Sequence, residues 1–144
     1  MIPLDPGARR AILDACDALR AESVATLERL VRCPSTLGNE ASALNEMARA
    51  YEALGLAPRR VPVEVEALRD HPGFSPPLIA YAGRDNVVAT HRPRAAKGRS
   101  LVLQGHVDVV PEGAADEWTT PPFEPAIRGG RMYGRGAGLS LIHI

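Results

Sequence analysis

Ser100-Leu101-Val102-Leu103-Gln104-Gly105-His106-Val107-Asp108 is the stretch on which the fold turns. Its apolar centre is continuous rather than alternating. That pattern suits a strand covered on both faces, as in a sheet flanked by helices. A glycine closes the run, and a histidine and an aspartate follow two positions apart. In extended backbone, residues i and i+2 point to the same side, so His106 and Asp108 face one site together. Ligands of open α/β sheets sit beyond the carboxyl ends of the strands, and His106 stands just past such an end. A carboxylate there can accept the N–H of one ring nitrogen while the other nitrogen binds a metal ion. In isolation H-x-D is a common chance pattern, and a hydrogen-bonded core histidine is its better reading.

The flanking sequence supplies the layers that such a strand needs. Asp5-Pro6 is a helix start, an N-cap residue followed by proline at the first helical position. Ile12, Cys16, Leu19, Leu27, Leu30 and Val31 then recur at a helical period. They predict one long amphipathic helix that ends before Pro34. Asn39 is placed to cap a second helix carrying Ala43, Leu44, Met47, Tyr51 and Leu54, with Gly55 as its stop. Val61, Val63 and Val65 alternate with Pro62, Glu64 and Glu66, which reads as a strand confined to a sheet edge by its proline. Residues 67–85 form a long loop that contains His71, a solvated residue. Residues 86–91 are a strand, and 92–99 a basic turn. His91, Arg92 and Arg94 in that region read as solvated surface. Further on, 123–127 and 131–133 flank Arg128-Gly129-Gly130, a hairpin pattern. Helices followed by strands in this order indicate an α/β layered domain.

Bulk properties exclude several function classes. A chain of 144 residues is one domain or part of a larger one. Lys+Arg and Asp+Glu balance at 17 each, which gives no electrostatic footprint for nucleic acid or an anionic membrane. No apolar run approaches the ~20 residues that span a bilayer. Met1-Ile2-Pro3-Leu4-Asp5-Pro6 lacks the basic and apolar regions of a signal peptide. A cytoplasmic location is expected. Cys16 and Cys33 form no CxxC pair and read as buried free thiols in a reducing compartment.

The context of His106 changes its reading. The run from Leu101 through Gly105-His106-Val107-Asp108-Val109-Val110-Pro111 resembles the first metal-ligand motif of one family, the di-zinc aminoacylases and deacylases typified by acetylornithine deacetylase and succinyl-diaminopimelate desuccinylase. Trp118, Pro122-Phe123 and Gly130-Arg131-Met132-Tyr133-Gly134-Arg135-Gly136-Ala137 follow in the same family's order. Val31-Arg32-Cys33-Pro34-Ser35 looks like the family's opening, and Ala53-Leu54-Gly55-Leu56 like its exit from the second helix. The resemblance implies an incomplete zinc-peptidase-like catalytic domain, a mixed sheet flanked by helices. It also implies a reaction in which two zinc ions, bridged by an aspartate and a water, hydrolyse the amide of a small N-acyl amino acid. The metals would lower the pKa of that water and polarise the acyl carbonyl. A glutamate further along would be the general base. Cobalt or manganese would suit the same ligand types. Carried over residue by residue, His106 matches a zinc ligand, and Asp108 the catalytic-site carboxylate that orients it. The full-length form is expected to be a homodimer, with no nucleic-acid or membrane partner.

The pattern then fails. Where the family has its bridging aspartate, this chain has Leu139, which offers no donor atom. The division expected is 1–137 as the N-terminal portion of the catalytic domain and 138–144 as a tail outside the family pattern, a product of frameshift or truncation. The alternative is a genuine tail whose Leu139, Leu141, Ile142 and Ile144 pack on the domain. His143 is read as an incidental tail residue. With one matched ligand the 144-residue polypeptide is expected to be inactive, since catalytic zinc uses about three protein ligands. A non-catalytic binding module, built on an unpaired sheet edge, is the second hypothesis.

Overall fold

The computed structural model describes residues 5–95 and 98–139, and the first of them acts as the sequence predicts. Asp5 Oδ2 accepts from the Ala8 backbone N–H at 3.0 Å and caps α1 (Pro6–Ala18). The expected single helix is broken at Leu19 (φ −89°, ψ −1°), and α2 (Arg20–Val31) continues beyond it. The two halves differ in burial. No residue of α1 is buried, and Ile12 and Leu13 are 51% and 50% exposed. Cys16 is likewise exposed and Cys33 half-buried, both as free thiols. The expectation of burial is therefore corrected for Cys16: its helix face has no layer against it among the described residues.

The core lies between α2 and α3 (Ala41–Ala53), where Val31 and Ala43 are only 2% and 1% exposed. Glu46 ties the two helices together. Its carboxylate accepts from Arg29 Nε of α2 at 2.5 Å and from Arg49 Nη1 at 3.1 Å. The N-cap position of α3 is Glu40, not Asn39, whose side chain instead donates to the Pro34 carbonyl at 2.8 Å. The C-terminus follows the glycine rule. Gly55 takes φ +73°, its N–H reaches the Glu52 carbonyl, and the Leu56 N–H reaches that of Tyr51. These are the paired bonds of a Schellman stop.

The strands are short and pair antiparallel. β1 (Arg59–Val61) lies against β2 (Asn86–Val88) with Arg60 opposite Val87. The predicted alternation through Val65 is cut at Pro62, which has no N–H to offer a ladder. Val65 instead opens a one-turn helix, α4 (Val65–Leu68). β3 (Ala126–Arg128) and β4 (Arg131–Tyr133) form the expected hairpin with Arg128 opposite Arg131. Gly129 and Gly130 both take positive φ in its turn, as a two-residue hairpin loop of the primed type requires.

The decisive stretch departs most from expectation. Residues 100–105 carry no regular structure, and Leu101, Val102 and Leu103 are 79%, 84% and 68% exposed. A strand apolar on both faces needs neighbours on both edges and cover on both sides, and none pairs with it among the described residues. The exposed area points the same way. It is 11543 Å², against about 7,200 Å² for a compact chain of this length. Helices with small antiparallel sheets and unburied apolar surface make an incomplete α/β domain. No helix among the described residues is long and apolar enough to cross a membrane. The expectations for Leu141, Ile142, His143 and Ile144 lie outside the described residues.

Candidate metal half-site

Two backbone segments distant in sequence meet under His106. Ser35, just after the turn that ends α2, is 2% exposed. Its hydroxyl donates to the Val107 carbonyl at 2.6 Å, and its own carbonyl accepts from the Val109 N–H at 2.9 Å. Burial alternates along this segment: His106, Asp108 and Val110 are exposed, Val107 and Val109 half-buried. The inward valines line an apolar pocket with Leu27, Leu30, Val31 and Leu139. That alternation at 106–110 turns His106 and Asp108 outward together, although this segment, like the run before it, carries no assigned strand.

Their side chains meet, with Nδ1 of His106 3.0 Å from Asp108 Oδ1. An ionised carboxylate only accepts, so the ring nitrogen facing it is the donor. The neutral imidazole is then the Nδ1–H tautomer, with its lone pair on Nε2. That is the form a metal ion requires of a histidine held by a carboxylate. Within the described residues the fit stops at one ligand. Among the described residues no group of three or more His, Cys, Asp or Glu side chains lies close enough to hold a metal ion. Leu139 lines the valine pocket, and its N–H bonds to the Gly136 carbonyl at 3.0 Å. His71 is exposed, its Nδ1 accepting from the Gly73 N–H.

Two further groups brace the half-site; the Glu40–Arg84 pair carries no signal in the sequence, whereas Trp118 and Arg135 of the other belong to the motif order quoted above. The Glu40 carboxylate, 7% exposed, accepts from both Nε (3.0 Å) and Nη2 of Arg84 and from the Gly38 N–H. Burial pushes its pKa up, but the hydrogen bonds of Arg84 and Gly38 outweigh burial and hold it below the ordinary glutamate value. Arg84 stacks on Tyr81 and also feels the charge of Asp108, which connects this pair to the site. On the other side, the Glu112 carbonyl accepts from Trp118 Nε1 at 2.8 Å and Arg135 Nη2 at 3.1 Å, with Arg135 stacked on Trp118. The loop after Asp108 is thereby anchored to the Gly134–Ala137 turn. Glu40–Arg84 is a pairing 44 positions apart in sequence, with no local pattern to betray it.

The sequence matches a profile of Peptidase family M20/M25/M40 over residues 102–141, a span that contains His106 and Asp108. A succinyl-diaminopimelate desuccinylase of Acidovorax ebreus (strain TPSY) is 36% identical over 110 residues, covering 76% of this chain and 26% of the relative. One from Rhodospirillum centenum is 34% identical over 116 residues, 81% of this chain and 26% of the relative. One from Methylibium petroleiphilum reaches 54% identity over 52 residues, 36% of this chain and 14% of the relative. At its fullest, the match spans about a quarter of the length of these curated relatives.

Proposed function

Since the chain belongs to Peptidase family M20/M25/M40, we propose that it is the N-terminal part of the catalytic domain of a metal-dependent amide hydrolase. The substrates proposed are small N-acyl amino acids, the N-succinyl and N-acetyl classes first. The observation that carries this reading is the His106–Asp108 pair, 3.0 Å apart. In it, His106 binds one metal ion through Nε2 and Asp108 holds the ring in the tautomer that does so. Zinc is the expected metal, with cobalt or manganese as substitutes of similar ligand preference. The remaining ligands are supplied by chain beyond the residues described, and the whole protein is a cytoplasmic homodimer. The 144-residue polypeptide, with one matched ligand among its described residues, does not turn over substrate.

The test is amide hydrolysis by the full-length gene product. Release of succinate or acetate from N-acyl amino acids should stop with chelator and return with zinc. His106→Ala should abolish it, and Asp108→Asn should lower it about 10–100-fold, the usual effect of removing a ligand's orienting partner. Full activity in His106→Ala would sink the proposal.

A further inference from the structure

The geometry points to Ser35 as the positioning residue for the His106–Asp108 pair, an inference that rests on the metal-site reading above. In a regular parallel bridge, one residue uses its own N–H and C=O to hold the residues on either side of its partner. Ser35 does this with a substitution. Its carbonyl accepts from the Val109 N–H at 2.9 Å, but its N–H is already committed to the Cys33 carbonyl at 2.7 Å. The missing donor is replaced by the side-chain hydroxyl, which reaches the Val107 carbonyl at 2.6 Å. Both grips fall on the residues that alternate with His106 and Asp108. They therefore fix the rotation of the 107–109 segment through its backbone.

Three observations make this a device aimed at the pair. Residues 100–105, immediately upstream, have no regular structure, so no strand ladder among the described residues sets the rotation of residue 106 from that side. Ser35 is 2% exposed, so water does not compete for its hydroxyl. The turn carrying it is itself fixed, with the Pro34 carbonyl accepting from Asn39 Nδ2 at 2.8 Å and from the Thr36 N–H at 2.9 Å. A rotation of one residue in an extended segment sends a side chain to the opposite face. Losing the hydroxyl therefore loosens the alignment of imidazole and carboxylate.

The readout is the neutral tautomer of His106 in the 144-residue chain. It is measured by ring-nitrogen NMR above the pH of ring titration and assigned by the signal's absence in His106→Gln. Wild type should show the Nδ1–H form dominant, and Asp108→Asn should lose it. Ser35→Ala and Ser35→Val should also lose it, shifting both ring nitrogens toward the values of a solvent histidine with helix content unchanged. Ser35→Thr, which keeps a hydroxyl, should restore it. Retention of the Nδ1–H form in both Ser35→Ala and Ser35→Val overturns the role of Ser35 alone. Its absence in wild type, or its persistence in Asp108→Asn, overturns the underlying pair and Ser35's role with it. Collapse of helix content in both hydroxyl-free variants also refutes the inference, because the hydroxyl would then serve the whole fold.

Discussion

Gly134→Ala is the substitution that most sharply tests the packing between the Tyr133–Ala137 turn and the core. A Cβ placed there would lie 2.6 Å from Val31 Cγ1 and 3.3 Å from the Pro122 carbonyl oxygen. Val31 cannot step aside easily: it is 2% exposed, and its β-branched side chain has one strongly preferred rotamer in a helix. Overpacking of this kind costs about 1–3 kcal/mol. The backbone adds to it, since Gly134 sits at φ +156°, which side-chain-bearing residues rarely adopt. Such strain costs about 1–3 kcal/mol, so the sum is about 2–6 kcal/mol. At roughly 4 °C per kcal/mol for a chain of this length, Tm should fall by about 8–24 °C. Urea unfolding of Gly134→Ala, Val31→Ala and the double variant separates the two causes. Removing Val31 Cγ1 relieves the clash but not the backbone strain. The double variant should therefore be about 1–2 kcal/mol more stable than the sum of the singles. A Gly134→Ala variant within about 0.5 kcal/mol of wild type, the range of ordinary surface changes, or strict additivity in the cycle, refutes the reasoning.

Other expectations follow from the same structure. Gly55→Ala meets nothing within 4 Å but keeps φ +73°, so it should cost only the left-handed backbone term, about 1 kcal/mol, with no partner residue able to rescue it. The Glu46 carboxyl is held below the ordinary glutamate value, chiefly by the Arg29 hydrogen bond and against the pull of burial. Its contribution is present above pH 4.5, the unfolded value, and is lost as pH falls through the lower folded value. With Arg29 and Arg49 48% and 70% exposed, that contribution is about 1 kcal/mol. Glu46→Gln should accordingly flatten acid unfolding below pH 4.5, and an unchanged acid profile would contradict the assignment. Leu101, Val102 and Leu103 are 68–84% exposed and should make the 144-residue chain bind a hydrophobic dye. Leu101→Gln with Leu103→Gln should reduce that binding at unchanged helix content; equal binding would place the apolar surface elsewhere.

Local chemistry was legible in the sequence where one residue enforces one geometry. Asp5 with Pro6, Gly55 after the second helix, and the Gly129-Gly130 turn each specify a backbone shape by themselves, and each is found as read. The His106–Asp108 contact also follows from spacing alone, because extended backbone sends alternate residues to one side. What failed depends on partners. Residues 100–105 read as a buried strand because their side chains suit one, but a strand forms only where other strands and layers meet it. Cys16 and Ile12 likewise mark an apolar helix face that no layer covers among the described residues. Ser35 was missed as a site residue because a serine after a proline looks like turn chemistry. Only the folded chain brings it to Val107 and Val109, 72 positions away from the former.

The central claim is that His106 is one ligand of a metal site that this stretch alone does not complete. Zinc titration calorimetry on the 144-residue chain and on its His106→Ala variant tests it most directly. The account predicts weak binding that disappears in His106→Ala, with no release of succinate from an N-succinyl amino acid. Tight one-to-one binding that survives His106→Ala would contradict it.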